Sequence, residues 1–216
     1  MKVEPDTKVR EYFSQFPHRL YPKGQILIFA DEDPEHVYYL TKGRVVQYDS
    51  AYNGDELIVN VFKPGAFFPM SWALNRSPNR FFYRTDSESE LHVVHADAAL
   101  QFLSENSDVA LDLLERVYRG TEGVLQRMVQ LMTGTAKSRL MLELMIEAKR
   151  FGEMKDDGSV KINISEQDLA ARSGMSRETV NREMRKLKSS SFVNLKGGSI
   201  VITDVNVLEQ ALSSSH

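Results

Sequence analysis

The sequence predicts an α+β chain in three parts: a set of short strands, one long helix and a C-terminal winged helix-turn-helix. Three observations point to it. Apolar stretches broken by turn residues recur at regular intervals between residues 20 and 95. Apolar side chains then recur at alternating spacings of three and four. Finally, a compact basic block spans residues 161–203. A change from short punctuated runs to a helical period marks a change of architecture along the chain.

Residues 25–29, 37–40, 44–48, 57–62 and 91–94 read as strands. The breaks between them hold Pro22-Lys23-Gly24, Asp33-Pro34, Lys42-Gly43, Asn53-Gly54 and Lys63-Pro64-Gly65. Asn53-Gly54 suits a tight hairpin, because Asn and Gly accept positive φ at least cost. Many short strands at this spacing predict a barrel or sandwich.

From about Asn106 the pattern turns helical. Leu111, Leu114, Tyr118, Thr121, Leu125, Met128 and Met132 form a heptad seam on a helix of about 107–133. So narrow and sustained a stripe fits a straight partner helix, and these seven residues are the expected contact between two copies of the chain. Thr133-Gly134-Thr135 reads as a hinge, residues 136–150 as a buried connecting helix and 152–159 as a polar loop. Two domains are expected, 1–134 and 135–216.

Composition removes several function classes. The 216 residues include no cysteine, which excludes disulfides, thiolate nucleophiles, iron–sulfur clusters and Cys-based zinc sites. No stretch of eighteen apolar residues occurs, so no membrane span or membrane partner is expected. The first residues are polar and of mixed charge, unlike a secretory or transit signal, and a cytoplasmic protein is expected. His18, His36, His92, His95 and His216 are the only histidines; His92 and His95 point to opposite faces of a strand, and no metal or other cofactor is expected. The acidic loop of Asp31, Glu32, Asp33 and Glu35 reads as solvated. With no nucleophile–base pairing and no phosphate-cradling glycine loop, an enzyme is not expected.

Charge is unevenly placed. The chain carries −3 overall, yet residues 161–203 hold eight basic and four acidic side chains, a net +4 on an acidic body. That asymmetry points to nucleic acid. Within the block, Ser165 reads as an N-cap with Asp168 three residues on, and Gly174 supplies a left-handed turn. Ser176 caps a second helix whose Val180, Met184 and Leu187 form its buried face, with small Ala170 and β-branched Val180 where two helices cross closely. Residues 192–202 complete a hairpin wing. Arg177, Glu178, Asn181 and Arg182 then face outward: Arg can donate twice to guanine O6 and N7, and Glu can accept from cytosine N4. Ser165, Gln167 and Ser176, at helix N-termini, are placed to meet phosphates.

Ile164-Ser-Glu-Gln-Asp-Leu-Ala170 and Gly174-Met-Ser-Arg-Glu-Thr-Val-Asn-Arg-Glu-Met-Arg-Lys-Leu187 resemble the helix-turn-helix of the Crp/Fnr family of bacterial transcription regulators. Tyr21-Pro-Lys-Gly-Gln-Ile26, Val37-Tyr-Tyr-Leu-Thr-Lys-Gly-Arg-Val45 and Phe62-Lys-Pro-Gly65 resemble that family's cyclic-nucleotide-binding β-roll, a jelly roll. The resemblance implies a homodimer on a palindromic, TGTGA-like site in double-stranded DNA, with RNA polymerase as a further partner. Arg177, Glu178 and Arg182 match the family's base-reading residues. Thr179 and Ser176 match phosphate-contacting or supporting positions, Gln167 and Ser165 match backbone contacts, and Lys196 lies on the wing.

One segment departs from the family. Its cyclic-nucleotide binders carry a Gly-Glu pair for the ribose and a later Arg-Ser or Arg-Thr pair for the cyclic phosphate. No Glu occurs between residues 65 and 84; Arg76-Ser77 comes early and before Pro78, and Asn79-Arg80 falls where the Arg-Ser pair is expected. Val124 and Leu125 on the long helix offer no polar group to a nucleotide base. Control by cAMP is therefore not expected. Six aromatic residues, Phe67, Phe68, Trp72, Phe81, Phe82 and Tyr83, fill this window, either as core or around an apolar or acidic effector. Arg76, Arg80, Arg84, Phe81 and Tyr83 are the candidate contacts of such an effector. The alternative is an effector-free, constitutive or architectural DNA-binding protein whose β-roll only scaffolds a dimer.

Overall fold

The computed structural model describes residues 4–51, 54 and 56–213. They form two compact units, Met1–Arg119 and Gly120–His216, and the division falls inside one long helix. Asn53 of the expected hairpin turn and the last three residues, His216 included, lie outside the described residues.

The first unit runs α1 (Pro5–Phe13), β1 (His18–Tyr21), β2 (Ile26–Ile28), β3 (His36–Lys42), β4 (Val45–Ser50), β5 (Glu56–Phe62) and β6 (Phe67–Phe68). It continues through α2 (Met70–Asn75), β7 (Phe82–Thr85), β8 (Ser89–His95), α3 (Ala96–Glu105) and the first half of α4 (Ser107–Thr133). Two antiparallel four-stranded sheets, β1-β8-β3-β6 and β2-β7-β4-β5, make the β-roll. Ile28, Leu40, Val45, Phe68, Tyr83 and Leu91 form one core cluster, in which the ring of Phe68 stacks on those of Phe62 and Tyr83 at 4.6 and 5.5 Å. A second cluster joins Phe13, Tyr39, Phe67, Trp72 and Phe102, and Tyr12 stacks on Phe102 at 4.0 Å. Such offset aromatic contacts add to the free energy of simple burial.

The strand-only expectation for residues 20–95 needs correction, since α2 interrupts it; six residues are too few to display a helical period. The helical region also begins earlier than Asn106. Ala96, Ala99, Phe102 and Leu103 share the buried face of α3, and the His95 ring accepts from the Asp97 N–H as its N-cap.

The second unit adds α5 (Ala136–Phe151), β9 (Glu153–Met154), β10 (Val160–Ile162), α6 (Glu166–Ser173), α7 (Arg177–Ser189), β11 (Val193–Lys196), β12 (Ser199–Ile202) and α8 (Val205–Ser213) to the second half of α4. Its antiparallel sheet has the order β11-β12-β10-β9, so the expected polar loop at 152–159 contains a short strand. Helix α8 extends the domain beyond Thr203 by burying Leu208 and Leu212, one turn apart.

As expected of a connector, α5 is buried on several faces. It inserts Leu140, Met141, Leu144, Met145 and Ala148 into the core, together with two carboxylates. Glu143 accepts both hydrogen bonds of Arg127 from α4, at 2.6 and 2.9 Å. Glu147 pairs with Arg172 of α6 at 2.6 Å, where both side chains are at most 2% exposed.

The expected hinge at Thr133-Gly134-Thr135 is a stitched joint. Arg139 donates to the carbonyls of Gln130 and Leu131 at 3.2 and 2.8 Å, and the Thr135 hydroxyl accepts from the Ser138 N–H as the N-cap of α5. A Cβ on Gly134 would stand 2.6 Å from the Gln130 carbonyl oxygen and 2.8 Å from the Ser138 hydroxyl. Gly→Ala at a tolerant position stabilises a protein by about 0.4–1 kcal/mol. Here the sign reverses: Gly134→Ala is expected to cost about 2 kcal/mol in urea unfolding, with the m-value unchanged.

Candidate nucleic-acid interface

The α6–turn–α7 unit is built by local chemistry. The Ser165 hydroxyl accepts from the Asp168 N–H at 3.0 Å and donates to the Asp168 carboxylate at 2.6 Å, which fixes the first turn of α6. Gly174 ends that helix in the left-handed region at φ 61°. Ser176 starts α7 by accepting from the Thr179 N–H at 3.3 Å. Val180, Met184 and Leu187 are buried, which turns Arg177, Glu178 and Arg182 outward, all three exposed. Ser165, Gln167 and Ser176 are exposed at helix N-termini, and Thr179 is half-buried. The helix N-termini direct backbone N–H groups and a positive dipole end outward, suited to phosphate.

Electrostatics arrange this face. The backbone N–H of Glu178 itself and the Ser176 hydroxyl hold the Glu178 carboxyl below the usual carboxylate range, so it stays a charged acceptor. Buried Glu183, which the sequence pattern did not single out, accepts from Lys186 Nζ at 2.9 Å and Arg182 Nε at 3.3 Å. The Lys186 hydrogen bond lowers its pKa against the opposing effect of burial. The Arg182 guanidinium is thereby tied through Nε, while its side chain stays 63% exposed. Asn181 differs from expectation. It is half-buried, and its side-chain amide donates to both carboxylate oxygens of Glu166 on α6, at 3.3 and 3.0 Å. Lys196 is exposed at the end of β11 and, with Lys155 and Lys161, lines an open groove of about 610 Å³.

The candidate effector residues have different surroundings. Tyr83 belongs to the β-roll core at 2% exposure, and burial pushes its hydroxyl up to about 12. Phe81 is half-buried against the same cluster. Arg84 gives both terminal nitrogens to the Glu56 carboxylate and lies over the Tyr48 ring at 4.7 Å. Arg76 closes α2, pairs with Asp97 and lies over the Trp72 ring at 5.0 Å. Arg80 is exposed. Glu56 went unread because nothing local in the sequence pairs residues 28 positions apart across strands.

On α4, Leu111, Leu114, Tyr118, Leu125, Met128 and Met132 are between 49% and 77% exposed, and Thr121 is exposed as well. No helix among the described residues is long and apolar enough to cross a membrane.

A β-roll, a long helix and a capped helix-turn-helix with a wing define a class: regulators that join a sensor-type domain to a DNA-reading one. Residues 18–106 match the cyclic nucleotide-binding domain family and residues 138–211 the Crp-like helix-turn-helix domain family. The chain belongs to the Crp/Fnr family and is a DNA-binding transcription regulator of that type. It is 25% identical over 183 residues to the cAMP-activated global transcriptional regulator CRP of Haemophilus influenzae, covering 84% of this chain and 82% of that one. Among solved structures, the c-di-GMP responsive regulator CLP of Xanthomonas campestris superimposes with a TM-score of 0.75 at 20% identity, covering 91% and 98% of the two chains. FixK2 of Bradyrhizobium japonicum gives 0.75 at 21% identity over 90% and 96%.

Because Arg172 and Glu147 are buried together, removing one ion strands the other. Glu147→Leu is expected to lower unfolding free energy by about 3–5 kcal/mol, and the double variant Glu147→Leu/Arg172→Met to recover most of it. Equal losses in the single and double variants, measured by chemical denaturation, would count against the pair as the cause.

Proposed function

We propose that this protein is a homodimeric regulator that reads a palindromic, TGTGA-like operator and is not switched by cAMP. In this reading residues 1–134 form the sensor-like and dimerising domain and residues 135–216 the DNA-binding domain, in a cytoplasmic protein without enzymatic activity. RNA polymerase is the partner expected of such a regulator. The observation that carries the reading is the outward face of α7, where Arg177, Glu178 and Arg182 stand exposed on a helix whose opposite face is buried. Arg–guanine and Glu–cytosine pairs in the major groove supply base discrimination, while Ser165, Gln167, Ser176, Thr179 and Lys196 supply phosphate contacts. Dimerisation through the exposed seam of α4 supplies two-fold symmetry, and two recognition helices then meet half-sites roughly 34–36 Å apart.

Against cAMP control stands the occupied state of Arg84, whose guanidinium is already neutralised by Glu56. That same pairing favours the second reading, an effector-free DNA-binding protein whose β-roll is a dimer scaffold.

The deciding experiment is fluorescence anisotropy on a TGTGA-type palindrome and on scrambled DNA, with and without cAMP, at two salt concentrations. Specific binding without nucleotide is expected; binding that appears only with cAMP would overturn the cAMP-independent reading. In the same assay Arg182→Ala is expected to cost about 1–3 kcal/mol and to relax preference at one base pair per half-site. Lys196→Ala should weaken all sequences alike and reduce the salt slope by about one per protomer. Leu125→Glu places a charge in the α4 seam and is expected to give a monomer by light scattering, with palindrome binding lost.

A further inference from the structure

We infer that Glu166 fixes the Asn181 amide in one orientation, so that Oδ1 is the atom it offers to the exocyclic amine of adenine or cytosine. The inference rests on the proposed placement of α7 in the major groove. An unrestrained asparagine can turn its amide, offering a donor and an acceptor at once, and so pairs with adenine through N6 and N7.

Asn181 does not have that freedom. Its Nδ2 faces both oxygens of the Glu166 carboxylate, and an ionised carboxylate only accepts. Turning the amide over would set Oδ1 against those oxygens, exchanging a charge-assisted hydrogen bond shared between them for repulsion. The orientation is therefore fixed by chemistry. No hydrogen bond reaches Oδ1 among the described residues. Asn181 follows Arg177 by one helical turn and adjoins Arg182, both exposed and outward.

An acceptor held in this position pairs with the N4 amine of cytosine or the N6 amine of adenine. Guanine O6 and thymine O4 in the same place bring two acceptors together, which is repulsive. Glu166 touches no base in this scheme. It is a positioning residue, held in the first turn of α6 where a negative charge suits the helix dipole.

The test compares the full-length protein with Glu166→Gln on a panel of palindromes in which each base pair of the half-site is changed in turn. Glutamine keeps the size and hydrogen-bonding reach of glutamate, but its amide can both donate and accept, so Asn181 regains both orientations. The wild type should show one position at which adenine or cytosine on the contacted strand is favoured over guanine or thymine by about tenfold. Glu166→Gln should flatten that one preference to about twofold, leaving other positions and the salt slope unchanged. Asn181→Ala, which does not depend on how the substituted side chain on α6 settles, should flatten the same position.

An undiminished preference in Glu166→Gln overturns the inference, as does a uniform loss on every palindrome, which would make the pair a brace between α6 and α7. Loss of preference in Asn181→Ala at a position different from that in Glu166→Gln overturns it too. A wild-type protein that binds palindromes and scrambled DNA alike removes the operator reading itself, and this inference with it.

Discussion

The DNA-reading domain depends on an ion pair that water does not reach. Arg172 on α6 and Glu147 on α5 are both removed from solvent, and each offsets the cost of burying the other's charge. Apolar packing alone lets neighbouring helices slide by fractions of a residue; a buried, directional pair does not. It fixes α6 on α5, and the left-handed turn at Gly174 together with the packing of Leu169 and Ala170 with Val180 carries that placement to α7. On another part of α5, Glu143 holds Arg127 of α4 in the same manner. The outward aim of Arg177, Glu178 and Arg182, set by the burial of Val180, Met184 and Leu187, thus rests on a core that α5 shares.

The elements legible in the sequence are those whose signals are local. Ser165, Gly174 and Ser176 mark helix ends by their own backbone chemistry, and the seam from Leu111 to Met132 repeats often enough to define a helix of the expected extent. Helix α2 is too short for periodicity. Helices α1 and α3 lay beside stronger patterns, and β6, with two residues, has no pattern at all. Glu143 and Glu147 stand out in no local pattern of the sequence, because hydrophobic patterning assigns faces but not partners. Their arginines lie 16 and 25 positions away, a separation set only by the tertiary fold.

The same limit explains the mixed result in the 65–84 window. Its aromatic content was open to two readings, core or ligand wall. Phe68 and Tyr83 are core, stacked within one roll interior. The sequence does not reveal that Glu56 lies within reach of Arg84 or that Asp97 lies beside Arg76. A charge is informative about a ligand only after its protein partners are known. The outward side chains of α7 are less affected, since Arg177, Glu178 and Arg182 remain exposed. Asn181 is the exception, and its partner Glu166 stands on the other helix of the motif.

The joint between α4 and α5 has a mechanical consequence. A glycine between two helices suggests slack, yet Gly134 is enclosed on one side by the Gln130 carbonyl and on the other by Ser138, while Arg139 clamps the final carbonyls of α4. Glycine is there for want of room and not for freedom of movement. The end of α4 is thus joined to the start of α5 by fixed hydrogen bonds and close packing, with no loose linker between them.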